Sequence, residues 1–331
     1  MSNRKTLSLV MAAAAVLSTV SSSALPSIAK EAGDRPHMDL AFCIDTTGSM
    51  QHEIDMVKTK TKELVAKLST GKPAPIVRVG LVAYRDRGDE YVTKVFPFSD
   101  NIDQVVKDIS SLKAAGGGDG PESVNEGLHV ALNSLDWGKE KDTAKLLFLI
   151  GDAGPHDYPG DYKWEDESKK AIARGIQVNT IACSGLENYP GTRGVDVFKQ
   201  IAKLTDGKYD TLAYRSEIVD ASGKRETIVT AAGATYKMRA GEKDWKSAAA
   251  EGRMDKAAYA PAPMSSAVAG TLMARRGYAS SKAEFAAAGV VAGGGGAGAS
   301  YNSPARGDSN LDEIVLGAAR EKAKKQLNVS Y

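Results

Sequence analysis

The amino-acid sequence predicts an α/β fold, a doubly wound and mostly parallel six-stranded sheet over residues 37–214 followed by a mostly helical or irregular extension. Three observations carry the prediction. Six short apolar runs alternate with segments whose apolar residues recur at helical spacing. Two of the runs, Met38–Ile44 and Lys145–Ile150, are almost continuously apolar, as strands covered on both faces must be. The loops that follow those two runs are rich in Asp, Gly, Ser and Thr, which places polar chemistry at the carboxyl ends of central strands.

Each element can be justified in turn. The first strand, Met38–Ile44, leads through Asp45-Thr46-Thr47-Gly48-Ser49 into a helix over Gln51–Leu68, with Ile54, Val57, Leu64, Val65 and Leu68 on one face. Ile76–Ala83 is the second strand. Glu90–Phe98, entered through the charged loop YRDRGD, is the third and is short enough for an antiparallel edge. A helix follows over Ile102–Leu112, then the glycine-rich loop Ala114–Gly120. Pro121 stands as a first helical residue before a helix over Ser123–Leu135. Strand Lys145–Ile150, helix Glu165–Arg174, strand Ile176–Ala182, helix Val195–Leu204 and strand Lys208–Leu212 complete the sheet.

Beyond Tyr214 the signals weaken. Residues 215–288 form an Ala-rich extension expected to be helical at Asp244–Tyr259 and Ala267–Phe285, while ETIVTAAGATYKM reads equally as strand or helix. Residues 289–309 are a Gly-rich flexible linker, and 310–331 a polar C-terminal helix.

A chain of 331 residues that is 42% hydrophobic and 25% charged has the composition of an ordinary globular protein. Its net charge of +2, without a basic cluster interleaved with aromatics, argues against nucleic acid as a partner. Residues 1–29 read as a signal peptide: Arg4 and Lys5, an apolar stretch over Leu7–Val20, then the small-residue pattern Ser27-Ile28-Ala29. That stretch is shorter than the roughly 20 residues a spanning helix needs. The expected mature chain is therefore exported, periplasmic or extracellular, and has no membrane span. Cys43 and Cys183 are expected as buried free thiols, because another strand separates theirs.

Five residues from three loops form the candidate site: Asp45, Thr47 and Ser49 after the first strand, Asp119 in the glycine-rich loop, and Asp152 after the fourth strand. Their donors are carboxylates and hydroxyls. Such a set suits a hard divalent cation, Mg²⁺ first, then Mn²⁺ or Ca²⁺.

These five positions, with the βα alternation around them, resemble the metal-ion-dependent adhesion site of von Willebrand factor type A domains. That site's pattern is Asp-x-Ser/Thr-x-Ser, a Thr or Asp in a second loop, and an Asp ending the fourth strand. The runs GGGDGPES and GDAGPH resemble the bacterial and intracellular branch of the family. The resemblance covers roughly half of the chain and implies strand order 3-2-1-4-5-6. It also implies a bound cation with one coordination position open to an Asp or Glu carboxylate of a protein partner. With Asp119 in place of the Thr of the best-known adhesive members, three carboxylates exceed a dication by one charge. The expectation is firm metal retention with a weaker grip on acidic partners.

The implied function is divalent-metal-dependent protein–protein interaction, for adhesion or assembly, at the bacterial cell envelope, with no enzymatic activity. Two alternatives stand: a scaffold subunit of an envelope enzyme complex, and a metal-dependent hydrolase. A serine hydrolase is disfavoured because Ser49 has only His52 nearby as a base and the Gly-x-Ser-x-Gly elbow is absent. His156 reads as a loop-shaping residue, Asp86 and Asp89 as solvated turn residues, and the Arg306-Gly307-Asp308 tripeptide as coincidence.

Overall fold

The computed structural model of the protein describes residues 35–139, 142–188, 191, 193–219, 225–232, 234–257 and 308–331. Its main sheet comprises β1 (His37–Asp45), β2 (Ile76–Tyr84), β3 (Thr93–Ser99), β4 (Thr143–Gly151), β5 (Ile176–Ala182) and β6 (Tyr209–Thr211). The order is β3-β2-β1-β4-β5-β6, with β3 antiparallel on one edge and every other pairing parallel. This is the order the resemblance implies.

The period-two geometry of β1 explains the two layers. Leu40, Phe42 and Ile44 pack with α1 (Gln51–Leu68) and α2 (Ile102–Ser110). Ala41 and Cys43 point the other way, toward α3 (Val124–Asn133), α4 (Trp164–Ala173) and α5 (Gly194–Leu204). Cys43 and Cys183 are both buried free thiols, as expected, and they belong to the cores on opposite faces of the sheet. The chain runs outward from β1 through β2 and β3, then returns to β4 on the other side of β1. The resulting crevice above the carboxyl ends of β1 and β4 is where open α/β sheets bind ligands.

The region after Leu212 corrects the expectation of a helical extension. It forms a second, four-stranded antiparallel sheet of order β10-β9-β8-β7, from β7 (Ala213–Val219), β8 (Arg225–Ala231), β9 (Ala234–Met238) and β10 (Met254–Lys256). The β-branched run Thr227-Ile228-Val229-Thr230 favours the strand over the helix, and Val229 is fully buried against Trp245, Ala248 and Met254. The helix expected over Asp244–Tyr259 shrinks to α6 (Trp245–Ala250). Asp244 caps its start, and Gly252 at φ 66° turns the chain into β10.

The C-terminal helix α7 (Leu311–Leu327) is present, but it is not a detached polar helix. Leu311, Val315, Leu316, Ala319, Ala323 and Leu327 are buried in the core shared with α1, and the helix packs on α1 and β4. Alanines supply much of that buried face, which is why the sequence reads as polar. Asp308 pairs with Lys60 at 2.7 Å and faces Lys246 at 3.6 Å, so the acidic member of the Arg-Gly-Asp tripeptide is engaged within the fold. The expected signal peptide, the expected helix Ala267–Phe285 and all but the last two residues of the expected linker lie outside the described residues. Among the described residues no helix is long and apolar enough to cross a membrane.

At the amino end of β1, Asp39 is fully buried and accepts two 2.8 Å hydrogen bonds from Arg78 and one of 2.7 Å from the Gly138 amide. The Arg78 guanidinium also lies 5.1 Å from the Phe98 ring centroid. Removing the cation would strand a buried carboxylate in the central strand. Arg78→Met is expected to lower the unfolding free energy by about 3 kcal/mol, measured by urea denaturation at pH 7.

Candidate metal centre

Asp45 ends β1 and is completely buried. Its Oδ1 accepts the Thr47 amide at 2.8 Å and the Thr47 hydroxyl at 2.7 Å, whereas its Oδ2 is buried with no hydrogen-bond partner. Across the crevice the Ser49 hydroxyl is hydrogen-bonded to Asp152, which follows β4. Four of the five residues singled out from sequence, Asp45, Thr47, Ser49 and Asp152, therefore line the crevice. Each hydroxyl gives its proton to a carboxylate, which leaves hydroxyl lone pairs and the orphaned Asp45 oxygen to meet a cation. An all-oxygen set with an unpartnered buried carboxylate oxygen fits a hard divalent ion.

Backbone hydrogen bonds hold the loops in place before any ligand arrives. The Thr46 amide and hydroxyl both donate to the Tyr84 carbonyl at the end of β2, at 2.8 and 2.9 Å. The glycine-rich loop is tied to the first loop by Ala115 N to Thr46 O and Gly48 N to Gly116 O, at 3.1 and 3.3 Å. Buried Arg85 clamps both loops, donating to the Thr46 carbonyl at 3.1 Å and the Lys113 carbonyl at 2.8 Å while lying over the Tyr91 ring. On the far side, Glu122 N donates to Gly154 O at 3.0 Å and His156 N to Glu122 O at 2.9 Å, joining the second loop to the loop after β4. Glycine is required twice for close approach. A Cβ on Gly151 would stand 2.5 Å from the Tyr84 hydroxyl, and one on Gly117, at φ 73°, would stand 2.9 Å from Glu122 Oε1 and 3.1 Å from the Thr47 side chain.

Sequence reasoning missed Glu122. Its side chain is buried beside Thr47 and Gly117, and its Oε2 has no partner. Asp119, expected in this position, instead has an exposed carboxylate hydrogen-bonded to His156 Nε2 at 3.0 Å. The reason is local. The Pro121–Glu122 segment does not open the helix as expected but runs extended, bridged to Pro155, and α3 begins only at Val124. That puts the Glu122 side chain under the loop and Asp119 at its rim. Glu in GGGDGPES was visible in the sequence, but nothing there marked its side chain as buried.

Burial and mutual repulsion set the charge state. Desolvation, then Asp152, pushes the Asp45 carboxyl well above the usual range, against the pull of its Thr47 hydrogen bonds. Burial raises Asp152 to about 6 although its bond to Ser49 opposes the shift. Burial, then the charges of Asp45, Asp86 and Asp152, raises Glu122 to about 10. Among the described residues no Lys or Arg is paired with any of the three.

Two further expectations are corrected. Asp86 is a buried residue rather than a solvated turn, accepting Ser123 Oγ at 2.9 Å and Tyr158 OH at 2.8 Å. Asp89 does close the turn by accepting the Asp86 amide at 3.2 Å, and it also accepts the Gly117 amide at 3.0 Å, so it shapes the glycine-rich loop. The His52 ring lies tilted against Tyr214 with centroids 4.8 Å apart, while Ser49 is hydrogen-bonded to Asp152, so the geometry does not assemble a serine–histidine pair.

Comparison with known proteins now decides the family. A sequence profile of the von Willebrand factor A domain matches residues 39–216. The chain belongs to the von Willebrand factor A domain family. The α-protein kinase vwkA of Dictyostelium discoideum is 29% identical over 120 residues, which make up 36% of this chain and 19% of the kinase. The human von Willebrand factor A domain-containing protein 7 is 34% identical over 122 residues, 37% of this chain and 12% of that protein. The chain thus matches less than a fifth of the length of either relative. Among solved structures, the proximal thread matrix protein 1 of the mussel byssus with zinc-occupied MIDAS motif is similar with a TM-score of 0.40. It is 18% identical, and the match covers 54% of this chain and 42% of that one.

The raised pKa values give a signed expectation. An acid whose folded pKa is raised stabilises the fold below its unfolded pKa, and that stabilisation is lost as pH rises through the folded value. For Asp152 the window runs from 3.8 to about 6, and for Glu122 from 4.5 to about 10. In EDTA the melting temperature is therefore expected to fall from pH 4 toward pH 9, and millimolar Mg²⁺ to restore it at the alkaline end. Glu122→Gln, which mimics the neutral acid, is expected to flatten the decline above pH 6, as followed by differential scanning calorimetry.

Proposed function

We propose that the chain is a divalent-metal-dependent protein-binding module that works outside the cytoplasm, at the cell envelope, with Mg²⁺ as its usual ion. The observation that carries this reading is the orphaned Oδ2 of Asp45 in a crevice lined by the hydroxyls of Thr47 and Ser49 and the carboxylate of Asp152. Those four residues would hold the ion. A bound dication would supply a Lewis-acidic position for a carboxylate of a protein partner.

Charge refines the partner. Asp45 and Asp152, ionised against the ion, match a dication in charge, and Glu122 beside them has its pKa raised to about 10. Asp119 is already paired with His156 at the rim. The surplus negative charge inferred from three ionised carboxylates is thereby removed, and an incoming Asp or Glu meets a site that is close to neutral rather than repellent. The grip on acidic partners is accordingly stronger than the sequence alone suggested.

A binding role is also supported by the family's distribution. The same domain occupies a small part of an α-protein kinase and of an ariadne-like RING finger protein of Acanthamoeba polyphaga mimivirus, which suits a recognition module better than one fixed chemistry. Export is supported by the basic, apolar and small-residue order of residues 4–29. The second sheet and α7 favour a scaffold role as the alternative reading, since they add to the A domain a further folded surface.

The test is affinity capture from envelope extract with the full chain as bait. Partners are expected to be retained in Mg²⁺ and lost both in EDTA and with Asp45→Ala. Partners retained under all three conditions would support the scaffold reading, and Asp45-dependent turnover of phosphoester or peptide substrates would support a hydrolase.

A further inference from the structure

A second group of potential ligands lies at the rim of the crevice and is not used by the first site. Asp86 from the loop after β2, Asp119 from the glycine-rich loop and His156 from the loop after β4 present one oxygen or nitrogen each, all within 4.8 Å of one another. His156 Nε2 is 3.0 Å from Asp119 Oδ2 and 3.6 Å from Asp86 Oδ2. A tetrahedral ion with N and O ligands at about 2.1 Å requires ligand atoms about 3.4 Å apart. The two observed separations bracket that value.

The surroundings hold these three groups in orientation. Asp86 is 6% exposed, and its two oxygens accept the hydroxyls of Ser123 and Tyr158. The His156 ring stacks on the Tyr158 ring at 4.3 Å, and its backbone is fixed by Glu122 O. Outer partners that aim carboxylates and imidazoles in this way are what metal sites use to set ligand direction. The flanking arginines make their ion pairs with other carboxylates. Arg85 is committed to Thr46 O, Lys113 O and Glu90, and Arg87 to Asp161 and the face of Tyr158. Beside the cluster, buried Glu122 adds an oxygen without a partner. An imidazole with two carboxylates is a donor set for a borderline transition ion rather than for Mg²⁺.

We propose that Asp86, Asp119 and His156 form a second metal site, of the zinc class, with a fourth position open at the exposed rim. Among the described residues no hydrogen bond joins these three side chains to Asp45, Thr47, Ser49 or Asp152, so the two ligand sets are distinct. An ion at the rim would tie together the three loops that frame the crevice.

The test uses the full chain, Zn²⁺ and a competing chromophoric chelator, with long-range ¹H–¹⁵N spectra of the four histidines as a second readout. Wild type is expected to take up two equivalents of Zn²⁺, His156→Gln one, and the His156 imidazole signal to shift on zinc addition. Tyr158→Phe, which removes the hydroxyl aiming Asp86, is expected to weaken the rim site about tenfold. His156→Gln should keep the stabilisation by Mg²⁺ at the first site. The His156 signal is read on the wild-type chain, so the test does not depend on a variant folding. Two equivalents retained in His156→Gln, an unmoved His156 signal, or a single equivalent in wild type would overturn the proposal. Loss of the Mg²⁺ response in a folded His156→Gln chain would also overturn it, by making the cluster part of the first site.

Discussion

Buried carboxylates without a cation of their own are the constraint on which this structure turns. Asp45, Asp152 and Glu122 converge at the carboxyl ends of β1 and β4, and the chain spends a dense set of backbone bonds to keep them there. Isolated ionised carboxylates in such surroundings either take up protons or find a positive partner. In the metal-free chain the balance moves toward the first course, and all three pKa values rise. A divalent ion offers the second.

The rest of the architecture follows from the need to bring distant residues to one place. The reversal of strand order beside β1 sets the loops after β1 and β4 next to each other, though about a hundred residues separate them in sequence. The final helix α7, arriving from the far end of the chain, completes the core on the α1 face of the sheet. Arg85 and the amides of Ala115 and Gly48 then fasten the glycine-rich loop over the first loop. Rigid support of this kind keeps the ordering cost of ligand binding low.

Much of this was legible in the sequence, and the exceptions have physical causes. The six strands and their helices followed from apolar periodicity, and the donors of the first loop from residue type alone. The second sheet was obscured because Thr227–Thr230 and the alanines after it satisfy both helix and strand patterns. The buried face of α7 was hidden by its alanines. Side-chain direction was the hardest property to read: Asp119 and Glu122 are three residues apart in one loop, yet one faces the rim and the other the interior. Asp86 looked like a turn residue because its partners, Ser123 and Tyr158, lie 37 and 72 residues away.

The central claim is that the crevice is a cation site built on Asp45 and Asp152. Calorimetric titration of the chelator-treated full chain with Mg²⁺ at pH 7.5, beside Asp45→Asn, tests it most directly. The account predicts one equivalent bound by the wild-type chain and a loss of at least about a hundredfold in affinity for the folded variant. Equal Mg²⁺ binding by both proteins, or none by the wild type, would contradict it.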